Sequence, residues 1–356
     1  MNPKTVKIKA RNDKQNLIYI YVESLETSFF SYKNGGNFNQ SVIPFLEELS
    51  NDDISFSRSD KYIGANSLNG TGWTTAGMVA STMGIPLKLG VDANRKTTAD
   101  FLPGAYSLGE VLKDNGYKNY LFIGSSASFG QRDVLFKQHG DYKIYDYNTA
   151  KKDGWIKDDY YNWWGYEDNK LYKFAKDVLI DIADSSEPFN FTLLTADTHA
   201  QDGYVDEKCD RKYDETLLNS YNCADKMLSD FIIWLKKQDF YDKTTVVIVG
   251  DHYSMQGNMD KIFEVTDNDV FDRGIYNVFM NSKVDTKNDK NREFSTFDFF
   301  PTTLAAMGFN IEGDRLGLGT NLFSGKTTLI ERDGVNQVNG ELYKRSKFYN
   351  DRLFTK

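Results

Sequence analysis

Three runs of apolar and β-branched residues, each with an acidic residue at or next to its end, constrain the fold of this chain more than any other feature. They are NLIYIYVES (16–24), FNFTLLTAD (189–197) and TTVVIVGD (244–251). Strands that are apolar on both faces are typical of parallel sheets covered by helices on both sides. These runs therefore predict strands of such a sheet, and two other runs, 119–124 and 274–281, predict further strands.

Segments with helical periodicity or helix-start signals alternate with these strands. They are 42–50, 69–86, 107–117, 169–184, 219–238 and 294–308. The alternation predicts an α/β fold with a mostly parallel central sheet and helices on both faces. We expect one domain over 16–310 and a C-terminal extension over 311–356 packed on it. The segment 141–168 shows no regular period and is assigned to no element.

Composition excludes some functions and leaves others open. The formal net charge of −8 and the pI near 5.1 argue against a nucleic-acid partner, which needs a basic face. An anionic substrate remains possible because a bound divalent cation can dominate the local field. No apolar run reaches the ~18 residues of a membrane span. The polar, basic residues 1–15 resemble a tether, so we expect a soluble domain of a larger anchored protein.

The two cysteines, Cys209 and Cys223, predict a local disulfide that closes a surface loop. Such a bond would place the chain in an oxidising compartment. The alternative is a pair of unrelated free thiols.

Chemically active side chains follow the strands where each one ends. The first run ends at Glu23-Ser24. The second ends at Asp197, with His199 two residues further on, and the third ends at Asp251, directly before His252. In open α/β sheets, ligands bind outside these carboxyl ends. Glu23, Asp251 and His252 together offer the oxygen and nitrogen ligands that suit Mn²⁺, Mg²⁺ or Zn²⁺. The alternative is that Asp251 caps a turn and His252 makes only local hydrogen bonds.

A threonine in a glycine-rich loop is the candidate nucleophile. Thr71 lies between Gly70 and Gly72, just before a predicted helix, in NGTGWTT. A helix start binds phosphate or sulfate oxygens, and a metal can activate a threonine hydroxyl. Thr71 could instead be an N-cap residue. Spacing alone does not separate Thr71 from Thr74 and Thr75.

Six motifs occur in the order that a known family shows. They are IYVES, GTGWTTAGMVASTMGIP, FGQRDVLF, LLTADTHA, VVIVGDH and FDFFPTTLAAMG, spread over about 16–325. The chain resembles the phosphoglycerol transferases of the sulfatase/alkaline-phosphatase superfamily, which include lipoteichoic acid synthases and osmoregulated-glucan phosphoglycerol transferases. This resemblance implies a three-layer α/β/α architecture.

The resemblance also implies a role for each matched residue. Glu23, Asp251 and His252 match metal ligands, and Thr71 matches the nucleophile that also touches the metal, most plausibly Mn²⁺. Arg132 matches an arginine that binds the substrate phosphate, and His199 matches a substrate-binding histidine. Taken alone, Arg132 would suit a surface ion pair with Asp133, and His199 an ordinary buried histidine.

The chain departs from the family pattern at two places. Gly130 stands where the lipoteichoic enzymes carry a tryptophan two residues before the arginine. The C/S-x-P-x-R signature of true sulfatases is absent from the sequence.

The implied reaction moves glycerophosphate from a phosphatidylglycerol-type lipid to a hydroxyl of an envelope glycan or a glycerophosphate polymer. It would take place on the outer or periplasmic face of a bacterial membrane. Alternatives are a phosphodiesterase or phosphoethanolamine transferase of the same superfamily, and an inactive glycan-binding domain. The aromatic segment DDYYNWWGYED (158–168) could stack on sugar rings or form a packed surface flap.

Overall fold

The computed structural model describes residues 1–88, 100–185, 187–263, 272–286 and 288–354. Its strands are β1 (Ile8–Lys9), β2 (Asn16–Val22), β3 (Lys118–Ile123), β4 (Lys143–Tyr145), β5 (Phe189–Leu194), β6 (Thr244–Gly250), β7 (Asn277–Met280), β8 (Asn310–Ile311), β9 (Arg315–Leu316) and β10 (Gly319–Thr320). Its helices are α1 (Pro44–Asp52), α2 (Thr74–Met83), α3 (Leu108–Asp114), α4 (Arg132–Gln138), α5 (Tyr147–Lys152), α6 (Asp168–Ala183), α7 (Thr216–Leu235), α8 (Met259–Ile262), α9 (Phe299–Ala306), α10 (Leu329–Asp333) and α11 (Val335–Tyr343).

The central sheet has six strands in the order β4-β3-β5-β2-β6-β7. The first five are parallel, and β7 pairs with β6 in the antiparallel sense at one edge. The three most apolar runs of the sequence are therefore neighbours, with β2 between β5 and β6. This arrangement confirms the predicted mostly parallel sheet.

Alternate side chains of β2 enter two separate cores, one on each face of the sheet. Tyr19 and Tyr21 pack with residues of α2, α3 and α9 on one face. Ile18 and Ile20 pack with residues of α1, α6 and α7 on the other. Because both faces are covered, every residue of β2 except the first is buried, which explains its unbroken apolar sequence. The fold is thus a three-layer α/β/α sandwich, as expected.

Differences from the predicted elements lie at the ends of the chain and in its middle. Ile8–Lys9, inside the predicted tether, pair with Asn310–Ile311. The unassigned segment 141–168 contains β4 and α5. Beyond β8, Ile330 and Val338 pack on Leu68 and Ala80 in a small third cluster. The division of the chain at 310 stays a prediction.

Cys209 and Cys223 form a disulfide, as predicted. The bond ties the loop that follows β5 to the first half of α7. Among the residues described, no helix combines the length and the apolar character required to cross a membrane.

Candidate active site

Glu23, Asp251 and His252 converge at the carboxyl edge of the sheet, as the strand pattern predicted. Val22 at the end of β2 lies opposite Gly250 at the end of β6. The residues that follow these two positions therefore leave adjacent strands side by side. One ligand atom from each of the three side chains lies within 4.8 Å of the other two, and all three side chains are buried.

Neighbouring groups orient the two side chains that β6 supplies. Asp251 Oδ1 accepts hydrogen bonds from the N–H groups of Ser24 (2.8 Å) and His252 (2.9 Å). His252 Nδ1 lies 2.7 Å from the carbonyl oxygen of Tyr253, so this nitrogen carries the proton in the neutral ring. His252 Nε2 is thereby left facing Glu23 Oε1 at 3.2 Å and Asp251 Oδ2 at 3.4 Å.

The glycine in α2 allows this helix to approach the cluster closely. A Cβ atom on Gly77 would lie 2.1 Å from the carbonyl oxygen of Asp251. No side chain fits there, because the backbone of the strand end cannot move aside without disturbing the cluster. The small residue therefore lets the first turn of α2 reach the ends of β2 and β6.

The charges of the cluster strongly perturb one another. Burial opposes ionisation of His252, but the charges of Asp251 and Glu23 outweigh it and raise its pKa to about 10. Burial, followed by the charge of Glu23, raises the pKa of Asp251 to about 7. Burial also acts to raise the pKa of Glu23, but the charge and hydrogen bond of His252, and next the charge of His199, lower it to about 2.

These three residues fit one divalent cation. Asp251 Oδ2 is buried and has no hydrogen-bond partner among the described residues, although a buried carboxylate oxygen normally has one. A cation in contact with this oxygen, Glu23 and the Nε2 atom of His252 would neutralise the buried carboxylates. Two carboxylates and an imidazole suit Mn²⁺, Zn²⁺ or Mg²⁺. The preference for Mn²⁺ stays a prediction.

The threonine that the structure brings to the cluster is Thr74, at the first position of α2. Its Oγ1 atom lies 3.4 Å from Glu23 Oε2 and 3.4 Å from His252 Nε2. The N-terminal N–H groups of α2 begin at the same place, where a helix has no internal partners for them. Thr74 therefore combines a hydroxyl beside the cation ligands with a helix N-terminus suited to phosphate oxygens.

The sequence analysis assigned the role of nucleophile to Thr71. In the structure, the Thr71 hydroxyl instead makes hydrogen bonds within its own turn. Its Oγ1 atom donates to the carbonyl oxygen of Leu68 (2.8 Å), accepts from the Leu68 N–H (2.9 Å) and lies 3.1 Å from Ser67 Oγ. Thr75 donates to the carbonyl oxygen of Gly130 at 3.1 Å. The helix start, which the motif alone did not locate, distinguishes Thr74 from both.

Arg132, at the start of α4, is buried and held by the loop that precedes it. Its Nε donates to the carbonyl oxygen of Phe129 (2.9 Å), and its Nη2 donates to the Ser126 carbonyl oxygen (2.9 Å) and Ser125 Oγ (3.1 Å). Burial lowers its pKa to about 10, against the opposing charges of Glu23 and Asp251. The alternative ion pair with Asp133 does not form between these two described residues.

The surroundings of position 130 explain why this chain has glycine where the lipoteichoic enzymes carry a tryptophan. Gly130 has a φ of +67°, and a Cβ atom there would lie 2.3 Å from Thr75 Oγ1 and 3.4 Å from the Trp73 ring. The position therefore has no room for a large side chain.

His199 lies on the turn after β5, and two buried aspartates fix this turn. Asp168 accepts hydrogen bonds from the N–H groups of Ala196 and Asp197 (both 2.9 Å), and Asp197 accepts from the Asp168 N–H (3.2 Å). Asp197 thus belongs to the support of the turn and not to the cation cluster. The half-buried ring of His199 packs on Trp164, with 4.6 Å between ring centroids.

Trp164 is a residue of the site that the sequence analysis did not single out. Its ring also lies 5.5 Å from that of Phe129, which carries the guanidinium carbon of Arg132 5.6 Å above its face. Trp164 was noted only as part of the aromatic segment 158–168. In the sequence, the feature that could have pointed to Trp164 was the pair of adjacent tryptophans before a glycine.

The comparisons with known proteins identify the family to which this layered fold belongs. The chain belongs to the Sulfatase family, which it matches over residues 15–309. It is similar to phosphoglycerol transferase I of Salmonella choleraesuis (strain SC-B67), with 31% identity over 327 residues, and of Shigella flexneri, with 31% over 325 residues. These alignments cover 89% and 88% of this chain, but the chain spans only 40% of each relative.

Solved structures share the fold at lower identity. The lipoteichoic acid synthase LtaP from Listeria monocytogenes has a TM-score of 0.65 at 20% identity, covering 90% of this chain and 79% of that one. A protein of the alkaline phosphatase superfamily from Vibrio parahaemolyticus also scores 0.65, at 19% identity, covering 86% and 71%. The zinc complex of the C-terminal periplasmic domain of EcEptC from Escherichia coli scores 0.62 at 14% identity, covering all of both chains.

Proposed function

We propose that this chain is the catalytic domain of a metal-dependent phosphoglycerol transferase that works through a phospho-threonine intermediate on Thr74. The observation that carries the proposal is the position of Thr74 Oγ1, 3.4 Å from both Glu23 Oε2 and His252 Nε2, at the N-terminus of α2. The relatives at 31% identity carry the name phosphoglycerol transferase I, which favours glycerophosphate as the transferred group.

In the first step Thr74 attacks phosphorus. Glu23, Asp251 and His252 would hold the cation, which when bound supplies Lewis acidity and lowers the pKa of a hydroxyl beside it. Thr74 gives up its hydroxyl proton to solvent and forms the Oγ1–P bond, while the P–O bond to the diacylglycerol of a phosphatidylglycerol-type lipid breaks. The free N–H groups of α2 and the Arg132 guanidinium stabilise the charge on the non-bridging oxygens.

In the second step an acceptor hydroxyl replaces Thr74 on phosphorus. In this proposal His199 protonates the departing alkoxide in the first step and takes the proton of the acceptor in the second. The Oγ1–P bond then breaks, and Thr74 regains its proton. The acceptor we propose is a hydroxyl of an envelope glycan or of a glycerophosphate polymer.

The location that we propose is the extracellular or periplasmic side of a bacterial membrane, with the rest of the protein providing the anchor. The disulfide between Cys209 and Cys223 supports an oxidising compartment. The incomplete coverage of the relatives leaves room for a further membrane portion in the full protein.

Three threonine variants test the nucleophile. With a phosphatidylglycerol substrate, Mn²⁺ and an acceptor, Thr74→Ala should lose transfer by on the order of 10³-fold or more, because the covalent step is removed. Thr71→Ala, in the loop before α2, and Thr75→Ala, the next residue of α2, are matched controls and should keep most of the activity. Mass spectrometry of the acid-quenched wild type should find the glycerophosphate adduct on Thr74.

Full turnover by Thr74→Ala, or an adduct on Thr71, would overturn this assignment. Accumulation of free glycerophosphate in the presence of excess acceptor would instead make the chain a phosphodiesterase.

A further inference from the structure

A tight hairpin turn presents Trp164 to the site. Asn162 and Gly165 exchange two backbone hydrogen bonds of 2.8 and 3.0 Å, so Trp163 and Trp164 form the tip. Trp163 has a φ of +57°, which is unusual for a large aromatic residue. Such a conformation persists where the surroundings determine it, and it often accompanies a functional constraint.

Trp163 and Gly165 anchor the hairpin, whereas Trp164 is not needed as an anchor. Trp163 Nε1 donates to the Ala196 carbonyl oxygen at 2.8 Å. Gly165 forms a bridge with Ser125, and a Cβ atom on it would lie 2.3 Å from the Gly124 carbonyl oxygen. These contacts hold the turn against the loops that follow β3 and β5. The positive φ of Trp163 therefore serves to direct the next side chain.

The Trp164 ring lies next to His199 and to the Phe129 ring that carries Arg132, and we assign phosphate contacts to His199 and Arg132. The centroid of the Trp164 ring lies 4.6 Å from that of His199 and 5.5 Å from that of Phe129. Phe129 is 40% exposed and has Arg132 over its face. Trp164 is itself half-buried, and its indole N–H makes no hydrogen bond to the described residues. Neither ring stacks flat on the half-buried indole, so exposed ring surface and a free donor are available to a ligand.

We propose that Trp164 is the substrate-positioning residue that selects a hydroxylated, uncharged group on the phosphate over one that carries an ammonium. This inference rests on the proposed function and specifies which part of its substrate Trp164 recognises. The carbon chain of a polyol packs on the indole face, and a hydroxyl oxygen accepts from the indole N–H.

An ammonium group fits poorly beside the Trp164 indole and the Arg132 guanidinium, for two reasons. Its nitrogen is only a donor, so it cannot accept from the indole N–H or from Arg132. The guanidinium over the Phe129 ring already occupies a face that could attract a cation, and its positive charge repels a second one.

Binding measurements on the Mn²⁺-loaded chain separate this role from a structural one. The ligands are sn-glycerol 1-phosphate, phosphoethanolamine and inorganic phosphate, and the readout is Kd by calorimetry. Trp164→Ala should weaken binding of glycerol 1-phosphate by roughly tenfold and leave the Kd of inorganic phosphate within about twofold, because Thr74 and Arg132 remain. Tyr161→Ala is the matched control, since Tyr161 is 65% exposed on the same segment and packs on Tyr147 instead.

Trp164→Phe keeps a ring but removes the donor, and it should give an intermediate Kd for glycerol 1-phosphate. If Trp164→Ala does not fold, the Kd of Trp164→Phe for glycerol 1-phosphate tests the inference in its place. The inference is overturned if Trp164→Ala binds glycerol 1-phosphate as the wild type does, if it loses inorganic phosphate equally, or if the wild type prefers phosphoethanolamine. Trp164-dependent binding of glycerol 1-phosphate without an adduct on Thr74 would overturn the proposed reaction and support the role of Trp164.

Discussion

At the scale of single residues, most polar atoms of the site's side chains already form hydrogen bonds within the protein before any ligand binds. Arg132 illustrates this, because its Nε and Nη2 hold carbonyl oxygens of the 125–129 loop while Nη1 makes no hydrogen bond to the described residues. Arg132→Lys should lower kcat/KM for transfer by roughly 10- to 100-fold, since lysine cannot both hold this loop and reach a phosphate oxygen.

Steady-state kinetics with the lipid substrate measure this loss. Arg345→Lys, at an exposed position, is the matched control and should leave kcat/KM unchanged. Wild-type kcat/KM in Arg132→Lys would show that the guanidinium does not contact the phosphate.

At the scale of elements, the long connection between β5 and α7 carries His199 and is closed by the disulfide. Cys209 and Cys223 are 14 residues apart, and Cys223 lies on α7. A bond that closes a loop of this size stabilises the folded state by about 3 kcal/mol through the entropy of the unfolded chain. The double variant Cys209→Ala/Cys223→Ala should therefore lose about 3 kcal/mol of unfolding free energy, measured by urea denaturation.

A reductant provides the control for this loss. It should lower the urea midpoint of the wild type toward that of the double variant and leave the variant unchanged. Equal midpoints for the oxidised wild type and the variant would mean that the bond does not stabilise this connection.

At the scale of the whole molecule, the proposed cation would link stability to activity, because the residues that would bind it come from distant parts of the chain. Glu23 follows β2, whereas Asp251 and His252 follow β6. A cation that binds only the folded state should add about 2.7 kcal/mol of stability at a free concentration of 100 times its Kd. Titration of chelator-treated protein with Mn²⁺ should therefore raise Tm and restore transfer over the same concentration range.

Asp251→Asn should abolish this rise in Tm, since an amide lacks the charge that the cation requires, whereas Asp242→Asn, at an exposed position, should retain it. A chelator-treated protein with full activity and an unchanged Tm on addition of Mn²⁺, Mg²⁺ or Zn²⁺ would contradict the metal assignment.

The sequence by itself determined the layered α/β fold and the carboxylate–histidine set. Apolar runs buried on both faces are a local property of the chain, and the carboxyl ends of parallel strands share one edge of the sheet. Glu23, Asp251 and His252 could therefore be grouped without coordinates.

Only the tertiary structure showed that Thr74 lies beside the cluster while the Thr71 hydroxyl bonds within its own turn, and only it brought Trp164 to His199. The first arrangement depends on the residue at which α2 begins and on how closely Gly77 lets this helix approach β6. The second depends on a turn whose anchors, such as the Ala196 carbonyl oxygen, lie elsewhere in the chain. Contacts of this kind arise from packing between distant segments, and no periodicity in the sequence encodes them.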